Sequence, residues 1–384
     1  MSGFDALSSA AQAARSTRPA VPLAIATLVG VRGSSYRQPG ARLLVDAEGR
    51  VLAGAISGGC LEGDVAAHAA AACESGQAIR LVYDLRDDLE AIWGFGSACD
   101  GVATIVLEPL LEREVDGSWL RQADDVRRSR KAGTLITHAG EYDTPSLGTI
   151  AIVDGDVMHS LHDGASKWRG RIVNGAAIAA RTAHSHAESI ESDTLFFEPL
   201  LAPIALNIIG AGRGAEAFAH IATTLGWETS LADHRHGLLD SLSLPSTVRV
   251  IKLDGNDVAG AMHALPTDGR TAVALLTHIF DTDLAWLSAL LPSPCAYIGV
   301  LGSRQRAAKL VERVRASGAP ITLAMLQRLH APIGLDLGGE DPASIALAAI
   351  AEIEAVMHRR PGGSLRGRQS PIHERSTVPS VSNQ

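Results

Sequence analysis

The run Gly210-Ala211-Gly212-Arg213-Gly214-Ala215 constrains this chain more than any other stretch, because it joins a sharply apolar segment, residues 204–209, to one with helical spacing up to residue 225. A strand that turns through glycines into a helix has few solutions. Gly210 permits the tight turn, Gly212 lets backbone amides approach a pyrophosphate, and Ala215 allows close packing of helix on strand. The helix N-terminus adds partial positive charge. Asp233, about 20 residues further on, stands where an acidic residue meets a ribose hydroxyl in such turns. Arg235 is near enough to meet a 2′-phosphate, or is simply solvated. A turn of this kind can also persist with no nucleotide bound, and the sequence leaves both readings open.

Strands expected over 228–232, 247–252, 272–276 and 296–300 alternate with helical segments, which implies a parallel sheet covered on both faces. The expected fold class is α/β, with a Rossmann-like doubly wound domain over 204–358. Two clusters follow strands of that sheet: Thr277-His278-Ile279-Phe280-Asp281-Thr282-Asp283 and Gly302-Ser303-Arg304-Gln305-Arg306. Carboxyl ends of parallel strands form the ligand crevice, so His278, Asp281, Ser303 and Arg304 are candidates for one site. The plainer readings are that Ser303 caps the next helix, Asp283 starts one and His278 lies on the surface. With Asp233 on a ribose and His278 as general acid or base, this half would serve an NAD(P)-dependent oxidoreductase.

The two prolines at 199 and 203 mark a domain boundary, upstream of which an α+β domain is expected over 1–200. A helix is expected over 4–14, and strands over 23–31, 41–45, 51–56, 78–83 and 102–107. A helix over 61–73, another over 120–132 and strands over 134–138, 147–153 and 195–198 complete the pattern. Between the first two strands lies Arg32-Gly33-Ser34-Ser35-Tyr36-Arg37-Gln38-Pro39-Gly40, which offers two guanidinium groups, hydroxyls and backbone amides without a P-loop lysine. That chemistry suits a phosphate or a pterin-like oxyanion. Ser57-Gly58-Gly59-Cys60 adds amides at a helix start, and the Cys60 thiol would be acidified if it lay in the first turn. Glu62 either joins the site or merely favours the helix dipole, and both Cys60 and Cys99 are equally readable as inert buried thiols.

The chain carries 34 basic and 42 acidic residues among 384, a net charge of −8, and no basic run, which argues against a protein that wraps nucleic acid. Its four cysteines lack a CxxC spacing and fit a reducing compartment, so cytoplasm is expected. No apolar stretch suggests a signal peptide or a membrane span. Residues 361–384 are poor in large apolar side chains and read as a disordered tail.

Several stretches in order resemble the XdhC/CoxI family, accessory factors of xanthine dehydrogenase-like hydroxylases. They are Gly33-Ser34-Ser35-Tyr36-Arg37 with Pro39-Gly40-Ala41, Ile56-Ser57-Gly58-Gly59-Cys60-Leu61-Glu62, and Trp93-Gly94-Phe95-Gly96 leading to Cys99. The fingerprint, the Thr277-His278 loop, Ile298-Gly299-Val300-Leu301-Gly302-Ser303-Arg304 and Ala331-Pro332-Ile333-Gly334-Leu335-Asp336 continue the likeness. The resemblance implies a chaperone that binds molybdenum cofactor (molybdopterin), assists its sulfuration by a cysteine desulfurase and passes it to a xanthine dehydrogenase-type hydroxylase, with a homodimer as the expected assembly. It makes Cys60 and Cys99 the thiols nearest molybdenum. Where the family commonly reads Gly-Cys-Gly-Gly, this chain has Ala98-Cys99-Asp100-Gly101, and a carboxylate beside Cys99 disfavours its thiolate.

Overall fold

The computed structural model describes residues 3–16, 21–33, 35–85, 101–110, 119–140, 147–161, 163–190, 193–255 and 257–369. It divides into two compact units, Gly3–Ala202 and Pro203–Arg368. Two of the candidate site residues, Ser34 and Cys99, lie outside the described residues, as does the tail beyond residue 369. The described start of that tail is largely exposed and contains one 3-10 turn, Leu365–Gly367.

The N-terminal unit holds two five-stranded antiparallel sheets. β1 (Leu23–Gly33), β2 (Arg42–Asp46), β3 (Val51–Gly54), β4 (Ile79–Asp84) and β5 (Gly101–Leu110) pair in the order β3-β2-β1-β5-β4. β1 is buried from Leu23 through Val29 and then emerges, so that Arg32 and Gly33 at its end are exposed. This change from an apolar run to Gly and Arg delivers the glycine-rich loop to the surface. Ala-rich helices cover the sheet through Val65, Ala66, Ala69 and Ala72. The single helix expected over 61–73 is two, Glu62–Ala67 and Ala69–Ser75, parted at His68, whose N–H bonds the carbonyl of Val65 in a tightened last turn.

β6 (Gly133–His138), β7 (Gly148–Asp154), β8 (Val157–Ser160), β9 (His186–Ile190) and β10 (Asp193–Pro199) form the second sheet, ordered β8-β7-β6-β10-β9. The helix Arg169–Thr182 lies on it through Ile172, Gly175, Ala176 and Ala179. One apolar cluster, including Leu7, Ile25, Leu44, Leu120, Leu135 and Ile152, ties the N-terminal helix and both sheets into one core.

The C-terminal unit is built on β11 (Ala205–Ile209), β12 (Glu228–Asp233), β13 (Arg249–Lys252), β14 (Thr271–Leu275), β15 (Tyr297–Val300) and the short β16 (Leu329–His330). Every pair is parallel, in the order β13-β12-β11-β14-β15-β16. Successive residues alternate between two cores: Ala272 and Ala274 join Leu206 and Ile208 on one face, whereas Val273 and Leu275 join Ile209 on the other. The sheet is therefore a doubly wound Rossmann sheet, and its order reverses between β11 and β14, where a ligand crevice opens beyond the strand ends.

Candidate functional site

The N-terminal unit presents a cleft lined by Ser35, Tyr36, Ser57, Gly58, Cys60 and Leu85, with the wall completed by the start of β5. Its floor is one organised turn. The Glu62 carboxylate accepts the backbone N–H of Ile56 at 3.1 Å and of Ser57 at 2.8 Å, together with the Ser57 hydroxyl. Ser57 Oγ in turn accepts N–H bonds from Gly59 and Leu61, both at 3.1 Å. Burial opposes ionisation of Glu62, but these hydrogen bonds prevail and hold its carboxyl below the usual range. Ser57 and Glu62 thus fix the loop, while Gly58 and the thiol-bearing Cys60 are what the loop offers.

Cys60 stands two residues before the first helical residue, Glu62, with Leu61 at the N-cap. It therefore does not lie in the first turn, the condition on which acidification by the helix dipole depends. Burial pushes the thiols of Cys73 and Cys295 up, toward the inert neutral form. Tyr36, which sequence reasoning did not single out, lays its ring 3.6 Å from where a Gly58 Cβ would stand and remains 66% exposed. Gly58 and the Tyr36 ring thus lie side by side and form one surface.

Arg32 and Arg37 are exposed and carry no hydrogen bond or ion pair with any described residue. Gly40 is placed otherwise: at φ +99° its Cβ would meet the Glu198 carboxylate at 3.2 Å. Glu198 is paired in two-pronged fashion with buried Arg42, whose guanidinium also lies 4.7 Å from the Phe4 ring centroid. Gly40 thus anchors the far end of the loop against a carboxylate, whereas Arg32 and Arg37 give its outer part available positive charge. Among the described residues, no group of three or more His, Cys, Asp or Glu side chains stands together as a metal cage.

In the C-terminal unit, Gly210 has φ +111°, and an added Cβ would stand 2.7 Å from the Thr277 backbone nitrogen. Only glycine fits there, because β14 runs alongside. Gly212 caps the helix Arg213–Thr224 in an extended conformation, and nothing lies within 4 Å of where its Cβ would be. Asp233 ends β12 and is closed over by Arg235 and the turn itself. Its Oδ2 accepts the Ala211 N–H at 2.6 Å, and Arg235 reaches both oxygens. Burial opposes its ionisation, yet these bonds hold the Asp233 carboxyl below the usual range.

Ser303 caps the helix Arg304–Ala316 by accepting the Arg306 N–H. His278 is exposed at φ +60°, Arg304 is exposed, and neither has a partner among the described residues. What joins the two loops is a set of neighbours. Asp283, wholly buried in the first turn of the helix Phe280–Leu290, accepts from the Thr277 hydroxyl at 2.5 Å and from Arg306 at 2.6 Å. The motif at 331–336 is structural: a Cβ on Gly334 would stand 3.1 Å from the backbone of the helix Pro342–Met357, and the Gly334 N–H bonds Glu352, which also holds Tyr297 and His330. No helix among the described residues is long and apolar enough to cross a membrane.

Comparison with known proteins matches this architecture piece by piece. Residues 17–84 match the description "XdhC and CoxI family" and residues 206–353 match "XdhC Rossmann domain". In Bacillus subtilis, a protein named as one subunit of a probable xanthine dehydrogenase is 25% identical over 331 residues, spanning 86% of this chain and 91% of that protein. The molybdenum cofactor insertion chaperone PaoD of Escherichia coli is 24% identical over 339 residues, spanning 86% and 82%. A crystal structure from Bacillus halodurans, described as a xanthine dehydrogenase, superposes with a TM-score of 0.72 at 25% identity and covers 95% of this chain and 98% of that one. By these matches and by its fold, the chain belongs to the XdhC and CoxI family.

Proposed function

We propose that this chain binds molybdenum cofactor in the N-terminal cleft and delivers it to a xanthine dehydrogenase-type molybdenum hydroxylase. The observation that carries the reading is the pairing of a cleft-lining thiol, Cys60, on a turn made rigid by Ser57 and Glu62, with two guanidinium groups on the adjoining loop that have no partner among the described residues. A cofactor with a phosphate, a planar pterin and a soft-ligand metal asks for that donor set: guanidinium for phosphate, amide and aromatic surface for the ring, thiolate for the metal. The relatives' names agree with it, since one is an insertion chaperone for this cofactor and two carry xanthine dehydrogenase in their descriptions. Sulfuration with a cysteine desulfurase, cytoplasmic residence and a homodimeric assembly belong to the same proposal.

In this reading Cys60 is a single protein ligand to a metal that arrives already held by its pterin. Arg32 and Arg37 take the phosphate, and Gly58 with Tyr36 offers the flat surface. Protein purified from a host that makes the cofactor tests it, with the released ligand oxidised to its fluorescent pterin and molybdenum quantified. Pterin and molybdenum near one per chain are expected. C60S should lose molybdenum while C73S and C295S keep it, and equal behaviour of the three would remove Cys60 from the site. An NAD(P)-dependent oxidoreductase is the second reading, favoured by the intact turn at Gly210–Gly212; nicotinamide without pterin in the same preparation would select it.

A further inference from the structure

The helix Pro342–Met357 is apolar on both of its sides. Its inner face buries Ala346, Ala349, Ile350 and Ile353 in the core that also holds Phe218, Ala219 and Tyr297. Its outer face carries Leu347, 53% exposed, with half-buried Ala351 one turn on. A surface helix ordinarily sets charged residues there. Only two of its sixteen residues are charged, and both are engaged: Glu352 with Tyr297, His330 and the Gly334 N–H, and Glu354 with His358 at 3.1 Å. A Cβ on Gly362 would stand 3.3 Å from the Leu335 side chain, so the segments flanking the helix meet beside it. They carry exposed Leu337 and Leu365, which widen the apolar surface.

Charge is sorted toward the two ends of this helix. From residue 329 to 357 there is no Lys or Arg, and the acids Glu340 and Asp341 stand exposed just before the first turn. From 358 to 368 there is no Asp or Glu, while Arg359, Arg360, Arg366 and Arg368 follow one another. Acid at the start and base at the end suit the helix dipole, but the dipole does not account for the bare apolar face between them. Glu340 and Arg359 have no side-chain partner among the described residues. Arg359 also holds φ +53° just past the helix end, a position that glycine ordinarily takes. An exposed cation kept there against the backbone's preference is suited to an acceptor on another molecule.

We infer that the outer face of this helix is the seam of a homodimer, in which it packs antiparallel on the same helix of a second copy. A two-fold axis between Leu347 and Ala351 seats each Leu347 on Ala351 of the partner subunit, a large residue against a small one. Glu340 precedes Leu347 by about the same two turns by which His358 follows Ala351, so this register also sets Glu340 and Asp341 of one copy against His358 and Arg359 of the partner subunit. One register thus serves the apolar pair and both charged ends, and a two-fold contact makes each of them twice. Any other protein would have to present the same order of acid, apolar residue and base in reverse, which a second copy does by symmetry. This seam rests on the homodimeric assembly proposed above, to which it gives a surface, and needs nothing of the cofactor cleft.

Sedimentation equilibrium of the full chain at micromolar concentration tests it, with pterin measured on the same samples. A dimer is expected. L347E places a carboxylate in the seam and should weaken association at least about tenfold. Leu347 is exposed in the single chain, so L347E should keep the circular dichroism of the folded protein. E340R should weaken association about threefold or more at low salt, and E340R/R359E should restore it, because opposite signs face each other again. A monomeric chain, whose face would then serve another protein such as the hydroxylase, a dimer as tight in L347E, or a double variant no tighter than E340R would each overturn the inference. A monomer that retains pterin leaves the cofactor reading standing, whereas a dimer without pterin removes that reading and keeps the seam.

Discussion

Glu62 and Asp233 are both carboxylates that accept backbone N–H groups from a glycine-bearing loop, yet the loops they organise meet a ligand in opposite electrical states. Glu62 takes its bonds from two amides and one hydroxyl, none of them charged, and the cations of the neighbouring loop, Arg32 and Arg37, have no partner among the described residues. Asp233 takes three of its four bonds from Arg235, so charge of both signs is neutralised inside the crevice. A glycine-rich turn therefore does not by itself say how ready a site is for an anion. Readiness depends on whether the local carboxylate is satisfied by neutral donors, which leaves the cations available, or by the cations themselves.

The largest expected effect falls on the geometry of the C-terminal turn. Gly210→Ala puts a methyl within 2.7–2.9 Å of the Leu276–Thr277 backbone at φ +111°, which should cost more than about 3 kcal/mol and lower the thermal midpoint sharply. Gly212→Ala, two residues on, should change stability by no more than about 0.5 kcal/mol. A pair of similar losses would mean that both glycines serve packing, which would erase the contrast between a cradle kept for a ligand and the turn that frames it.

Next in size is the N-terminal buttress. Glu62→Gln places an amide NH2 where one oxygen now meets a hydroxyl that already accepts two N–H bonds, so a donor faces a saturated acceptor. A loss of about 1–3 kcal/mol is expected by thermal or denaturant unfolding, with cofactor loading reduced as the turn loosens. Unchanged stability would show that the turn does not need its carboxylate.

How much of this was open to reading from the sequence differs between the two units. The Rossmann sheet announced itself because its strands are short apolar runs and its turn chemistry is local, and all five of the expected strands are present. The helix Arg169–Thr182 and the strands β8 and β9 were not expected. That helix buries Gly175, Ala176 and Ala179 against the sheet, and a Cβ on Gly175 would strike the Phe197 ring at 2.4 Å. Ile172 is the one large apolar residue buried on that face, so its helical periodicity is weak. At the sites, local motifs named Ser57, Cys60, Gly210 and Asp233, but not their partners' roles. Arg42 and Glu198 are 156 residues apart, and Asp283 and Arg306 are 23 apart. Only the fold brings such pairs together, and only the hydrogen bonds show that Ser57 and Glu62 hold the loop in place.

A smaller effect comes from acid. Glu62 and Asp233 both have carboxyls held below their ordinary range, so the ionised form is favoured in the folded state. Their contribution is complete above the unfolded value of about 4 and is lost as pH falls through the depressed folded values. The thermal midpoint should stay level from neutral pH to about pH 5 and decline below about pH 4, and E62Q should decline less steeply over that acid range. A midpoint in E62Q as acid-sensitive as in the unaltered chain would place the dependence elsewhere.

The smallest effect on stability, and the sharpest on function, is expected of Arg37→Ala. Arg37 is exposed and bonds to nothing described, so its removal takes no contact from the described fold, and the midpoint should shift by no more than about 0.5 kcal/mol equivalent. If its charge is held available for a phosphate, pterin retained after purification should fall about fivefold or more, since a charge-assisted contact to a phosphate is worth roughly 1.5–3 kcal/mol before solvent screening reduces it at the surface. Arg37→Lys should recover part of the loss, because a point charge keeps attraction but not the two-pronged geometry. The matching change in the other unit, Arg235→Ala, removes a cation that already has a partner, and should leave pterin untouched. Loss of pterin in both variants would mean that the two loops serve a single ligand, and the division between available and neutralised charge would no longer describe two separate sites.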